Sequence, residues 1–304
     1  MKLHVRRTVL LFAVLALVAA ACGEEEPAPP GDGGTQADET VCSTYDTSAG
    51  DLLAQICENE EIRVSTDPAY PPQSELNPET GDYEGFDIDV AQEIADRLGV
   101  EIAWETPDWE VLTAGGWNDR WDMSVGSMTP TNERQEVLDF TAPYAYVPAV
   151  VVVHEDSAAE DVSTDLDGKK IGFCASCTYE FFVDKSLNIS GFEFDFVIDD
   201  ANGTGYDTDT TALQDLALGD GTRLDAVMTS EPTAKAFIDA GNPVRIVGDP
   251  VFGEPLAIAF DKSSELDDAS LLSEVDAIVA AMHEDGTLTD LSEQWYDGID
   301  VSQV

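Results

Sequence analysis

The 304 residues carry 14 lysines and arginines against 62 aspartates and glutamates, a formal net charge of −48. Length allows two domains of about 100 to 150 residues. A surface this acidic repels nucleic acid and anionic lipid headgroups, which excludes both as partners, and it reads as a solubility adaptation rather than a binding site.

Met1 to Ala21 has the form of a signal peptide: Lys2, Arg6 and Arg7, an apolar run from Val9 to Val18, then three alanines before Cys22. The run is too short to span a bilayer comfortably. Small residues directly before a cysteine resemble the bacterial lipobox, with Ala19 where leucine is usual, so Cys22 is expected to carry a lipid. Cleavage after residue 21 removes three cations and no acids, which takes the charge from −48 to −51. Gly23 to Thr40 is rich in Glu, Pro and Gly and reads as a tether. Cys42 to Cys57 reads as a helix or loop packing through Leu52, Leu53 and Ile56.

Four cysteines follow Cys22, in a compartment where thiols oxidise. Of three possible pairings, Cys42 with Cys57 and Cys174 with Cys177 is the most economical, because each brackets one local segment. A redox role for Cys174-x-x-Cys177 is the alternative. His4, His154 and His283 do not supply the spacing of a structural zinc site. Nothing in the pattern requires a cofactor.

From Glu61 to Thr66 apolar residues alternate as in a first strand, which ends at Asp67-Pro68-Ala69-Tyr70-Pro71-Pro72, a stiff loop presenting an acid and a ring. Phe86, Val90, Ile94 and Leu98 mark a helix closed by Gly99. Val100 to Trp104 is a second strand, and Pro107-Asp108-Trp109 the loop after it, which predicts a parallel βαβ unit. Trp121 to Tyr146 then reads WDMSVGSMTPTNERQEVLDFTAPYAY. Met123 to Ser127 is expected to be a strand, and Thr129-Pro130-Thr131 the start of a helix whose free amides suit an anion. Arg134 lies in its first turn, where a guanidinium fork matches two carboxylate oxygens.

Val147 to Val153 is an apolar strand suggesting a crossover. The second α/β unit is expected to place strands at Lys170–Phe173, through Phe192, Phe194 and Phe196, at Leu224–Met228 and at Val244–Val247. Helices are expected from Thr178, over Thr211–Leu218 and over Thr233–Ala240. The chain returns through Glu254-Pro255 to a strand, Leu256–Phe260, and a helix bearing Leu271, Val275, Ile278 and Met282. Asp200-x-Asn202-x-Thr204-Gly205 echoes a calcium loop, but Thr211 stands where a bidentate glutamate is required. Two α/β lobes joined by two crossovers put a cleft where strand ends meet.

Residues Gly126 to Arg134 resemble the GMTITxER segment of the family 3 extracellular solute-binding proteins, the amino-acid receptors of ABC importers, and DFTAPY resembles that family's DFSxPY. The resemblance covers about residues 60 to 298, including TDPAYPPQS, GFDIDVAQEIADRLG, LDGKKIGFCASCTYE, RLDAV and DGTLTDLSEQWY. It implies a type II periplasmic-binding-protein fold with lobe 1 at 59–147 plus 253–304 and lobe 2 at 148–252, after a signal peptide at 1–21 and an N-terminal extension at 22–58. It implies a ligand carboxylate held by Arg134 and Thr129 from lobe 1 and by the helix start at Ser176 and Thr178 from lobe 2. Asp67 aligns with a polar contact, Tyr70 and Trp109 with two sandwiching rings. The family's DAVxxD pattern departs at Ser230, where the ammonium-binding aspartate is expected; Glu231, Glu254 or the Ser127 carbonyl could substitute. The implied role is a monomeric, lipid-anchored receptor outside the cell membrane that delivers an amino acid to an ABC permease. The alternative is an enzyme of the same fold resembling cyclohexadienyl dehydratase, for which no nucleophile–base pair is evident.

Overall fold

A computed structural model of the protein describes residues 39–303; the expected signal peptide, Cys22 and nearly all of the expected tether lie outside them. The described chain begins with α1 (Val41–Thr44) and α2 (Leu52–Asn59). Asp51 caps α2, its Oδ1 accepting the Ala54 N–H at 2.8 Å, and its Oδ2 takes the Tyr45 hydroxyl at 2.6 Å. Leu53 and Ile56 are buried in the first core, and a Cys42–Cys57 disulfide ties α1 to α2. The extension is therefore built into the first lobe.

β1 (Glu61–Ser65), β2 (Ala69–Tyr70), β3 (Ser74–Leu76), β4 (Tyr83–Glu84), α3 (Phe86–Leu98) and β5 (Glu101–Glu105) follow. β1 and β5 run parallel around α3, the expected βαβ unit, and Gly99 ends α3 at a φ of 85°. Tyr70, expected in a loop, instead ends β2 of the short sheet β2-β3-β4, paired with Ser74. Next come α4 (Trp109–Thr113), β6 (Met123–Ser124) and β7 (Leu138–Phe140). Trp109 thus opens a short helix rather than ending a loop.

The stretch expected to be a strand and a helix is neither at length. β6 spans two residues, and Arg134–Glu136 makes a single 3-10 turn before β7 begins. Ser127 has a φ of 53°, a left-handed conformation that breaks the strand. So short a turn has no helix start for an anion, and what this segment can offer one is the Arg134 side chain.

β8 (Ala145–His154) carries the chain into the second lobe. There α5 (Val162–Asp165), β9 (Lys169–Cys174), α6 (Thr178–Val183), β10 (Ala201–Tyr206), α7 (Asp209–Leu216), β11 (Ala226–Ser230) and α8 (Glu231–Asp239) follow. β12 (Val244–Leu256) then returns antiparallel to β8, pairing Glu254 with Val147, and leads to β13 (Ala259–Asp261), α9 (Ala269–Glu284) and α10 (Thr287–Trp295). Among the described residues the first large sheet has the order β5-β1-β6-β13-β7 and the second β10-β9-β11-β8-β12. α2, α3, α9 and α10 pack in one core on the first sheet, α5 and α6 cover one face of the second and α7 and α8 the other, and β8 and β12 run side by side between the lobes.

The strand expected through Phe192, Phe194 and Phe196 is absent. Phe194 and Phe196 pack on the second lobe's core, with Phe194 edge-on to Phe252 and the exposed Phe192 stacked on Phe194, while the outer strand is β10, Ala201-Asn-Gly-Thr-Gly-Tyr206. Its glycines lower β propensity, but they are needed: a Cβ on Gly203 would come within 2.8 Å of the Phe173 ring. The segment that echoed a calcium loop is this strand.

Candidate functional site

The segments that follow β1, β5, β6, β9 and β10 converge with β12 itself on one cavity between the lobes. It is lined by Asp67, Tyr70, Trp109, Ser127, Thr129 and Arg134 from the first lobe, Thr178, Tyr179, Asp207, Thr208 and Asp209 from the second, and Glu254 from the connecting strand. Eight of the eleven ligand-binding residues expected from sequence therefore face one space. Ser176, Ser230 and Glu231 do not line it.

Arg134 is the one basic side chain lining this cavity, and it is only 4% exposed. Its Nη1 donates to the Thr129 carbonyl at 2.9 Å and its Nη2 to the Ser176 carbonyl, in the opposite lobe, at 2.8 Å. The guanidinium lies 5.1 Å from the centre of the Trp109 ring, whose Nε1 donates to the same Ser176 carbonyl at 3.2 Å. Burial lowers the Arg134 pKa to about 10, so it stays a cation at neutral pH. Its Nε has no partner.

Glu254 occupies the centre of the expected carboxylate clamp. Its Oε2 accepts the Thr129 hydroxyl at 3.2 Å and also the Thr178 hydroxyl, one from each lobe. Burial raises its pKa, against the pull of those hydroxyls and of Arg134. The two clamp hydroxyls thus already converge on a carboxylate, one from each lobe.

The rings and remaining acids complete the walls. The Tyr70 and Tyr179 hydroxyls are 3.3 Å apart across the lobes. Asp67 turns Oδ1 to the Ala69 N–H at 2.8 Å, and burial raises its pKa. The Ser127 hydroxyl points away from the cavity and donates to Asp87 Oδ2 at 2.7 Å, while its N–H donates to the Tyr144 oxygen at 3.1 Å. Ser127 therefore offers backbone, fixed in its left-handed conformation by Asp87 and Tyr144.

Ser230 caps α8: its oxygen accepts the Thr233 N–H at 3.3 Å and the Gln73 side-chain amide at 3.0 Å, a further bridge between lobes. Glu231 pairs with Lys235 at 2.6 Å on the outside of the same helix. Neither is turned toward the ligand space. Cys174 and Cys177 form the second disulfide, as expected; joined in this way they supply no thiolate pair to a metal beside Asp209.

Tyr179, Asp207, Thr208 and Asp209 were not foreseen. Tyr179 follows Thr178 on α6, a neighbour of a residue the sequence does single out. The other three form the loop from β10 into α7, and the phenylalanine pattern, which imitates a strand further up the chain, hides that loop in the sequence.

The sequence profile of the bacterial extracellular solute-binding proteins, family 3, matches residues 62–298. The L-cystine-binding protein TcyJ of Escherichia coli (strain K12) is 29% identical over 254 residues, covering 83% of this chain and 88% of its own length. Among solved structures, a mutant of ArgBP from T. maritima superposes with a TM-score of 0.69 at 27% identity, covering 81% of this chain and 99% of that one. The ancestral amino acid-binding protein AncCDT-1, a precursor of cyclohexadienyl dehydratase, superposes with a TM-score of 0.67 at 27% identity, covering 80% and 99%.

Proposed function

Because the chain belongs to the family 3 bacterial extracellular solute-binding proteins, we propose that it captures an amino acid between its lobes, outside the cytoplasm, and delivers it to an ABC importer. The observation that carries this reading is the Nε of Arg134, a buried cationic donor without a partner, facing a cavity walled by both lobes. A buried donor left unsatisfied costs about 1–3 kcal/mol, which a ligand carboxylate would recover. Thr129 and Thr178 then hold that carboxylate from opposite lobes, with Glu254 turning aside, so binding and closure become one event. Tyr70 and Trp109 cover the ligand's stem and Asp67 meets its polar end.

We read the site as binding rather than catalytic: of the described histidines, His154 ends β8 and His283 contacts the Pro143 carbonyl, both off the cavity. Residues 148–252 are proposed as the lobe that moves against 59–147 and 253–304. A lipid on Cys22, after removal of residues 1–21, would keep this monomeric receptor at the membrane; no described helix is long and apolar enough to cross one.

A thermal-shift screen of the L-amino acids and L-cystine tests the reading, since a ligand at 100 times its Kd adds about 2.7 kcal/mol of stability. At least one amino acid should shift the melting temperature by several degrees. A flat screen, repeated by calorimetry, would sink the proposal.

A further inference from the structure

The cavity holds a second buried, unpartnered charge, of the opposite sign to Arg134. Asp209 opens α7, is 4% exposed and lines the same cavity as Arg134; its Oδ1 makes no well-formed hydrogen bond, the one hydroxyl beside it being that of Thr229, itself unpaired. Among the described residues only three charged side chains have such a buried, unpartnered atom, and the third, Asp268, lies outside the cavity. Ser230, the position where sequence resemblance leads one to expect an acid for the ligand's ammonium, is spent on Gln73 and Thr233 and does not face the space.

Resting on the amino-acid reading above, we propose that Asp209, from the loop between β10 and α7, takes the α-ammonium of the ligand in place of an acid at position 230. An ammonium withdrawn from water needs a full charge rather than a hydroxyl dipole opposite it. Asp209 supplies that charge from the second lobe while Arg134 supplies its complement from the first. The two ends of a zwitterion thereby join the lobes.

The ionisation of Asp209 gives the proposal a signature. Burial raises its carboxyl to about 7, against the pull of the neighbouring Thr229 hydroxyl, and the charges of Glu254 and Asp67 push the same way as burial. Tyr70 and Tyr179 face it across the cavity, Asp207 and Thr208 precede it, and Arg134 lines the same walls. Near neutral pH part of the population carries the acid form. As the ammonium arrives, the carboxyl O–H gives its proton to solvent and a carboxylate–ammonium pair forms. Binding therefore releases a proton, and affinity rises with pH toward neutrality.

The test is calorimetry on the whole protein, using as probe whichever of the L-amino acids or L-cystine binds most tightly. Titrations run from about pH 5.5 to about pH 8.5 in two buffers of different ionisation enthalpy. The expected result for wild type is affinity rising up to about tenfold per pH unit below about pH 7, then levelling, with up to one proton released per ligand. Asp209→Asn should bind at least about tenfold more weakly at pH 8 and lose both the slope and the proton release. The 2-hydroxy acid matching the probe should bind wild type at least about tenfold more weakly, and Asp209→Asn should narrow that gap. A folded Asp209→Asn that binds within about threefold of wild type overturns the assignment while leaving the receptor reading intact. Should that variant not fold, wild-type binding without pH dependence or proton release overturns it alone. If no amino acid binds wild type, the receptor reading fails and this assignment with it.

Discussion

Arg134 joins three parts of the molecule through one side chain: the Thr129 carbonyl in its own lobe, the Ser176 carbonyl in the other, and the Trp109 ring between them. That arrangement uses the two Nη atoms and leaves Nε for a ligand. Arg134→Ala should weaken amino-acid binding by about 2–5 kcal/mol, since it strips a desolvated charge from its counter-ion. Arg134→Lys should recover only part, because an ammonium cannot reach both carbonyls and a carboxylate together. Calorimetry decides, and near-normal affinity in Arg134→Ala would mean that the carboxylate is held elsewhere. Arg134, Thr129, Asp67 and Trp109 were legible in the sequence because each sits in a short segment with a distinctive order of residue types. Asp209 was not: one aspartate among 62 acids carries no signal until the fold removes water from it.

At the scale of elements, legibility followed periodicity. The fourfold spacing of Phe86, Val90, Ile94 and Leu98 gave α3 and its core face, and the apolar run at Val147–Val153 gave β8. β10 failed the same test because its two glycines erase alternation, and the three phenylalanines nearby imitate it from a loop of which only Phe194 and Phe196 pack on the core. The N-terminal extension was legible in its cysteines but not in its depth of packing. Leu53 is fully buried, and Asp51 accepts both the Tyr45 and the Ser270 hydroxyls, which ties α2 to α9. The 15-residue separation of Cys42 and Cys57 leads to a definite expectation. Replacing both by serine should cost about 3 kcal/mol, the loop entropy returned to the unfolded chain. Urea melts of oxidised wild type and the double variant measure it. Because no residue of the extension lines the cavity, amino-acid affinity at low temperature should be unchanged.

Across the whole molecule acid is in large excess, a net charge of −48, and that excess should make this protein more stable as pH falls from 8 toward 5.5. Two mechanisms point the same way. Surface repulsion weakens as carboxylates begin to protonate. Independently, Asp87 and Asp209 are buried, and desolvation raises each from an ordinary value of 3.8 to about 7. A carboxyl raised in the folded state binds its proton more tightly there than in the unfolded chain. Its contribution is fully present below the unfolded value and is lost as pH rises from about 4 through about 7. Each group could contribute at most about 4 kcal/mol over that window. Carboxylates with lowered values, such as Asp51 and Asp285, act in the opposite direction, but only when pH falls below their ordinary range. Salt separates the two mechanisms. At about 1 M the Debye length is about 3 Å, which screens surface repulsion but not a carboxylate enclosed by Tyr144 and Ser127. Urea midpoints should therefore rise between pH 8 and pH 5.5 at low salt, and most of the rise that survives high salt should disappear in Asp87→Asn/Asp209→Asn. A wild-type midpoint that falls over that range would show that both carboxyls are already ionised in the native protein, held by partners stronger than those seen around them.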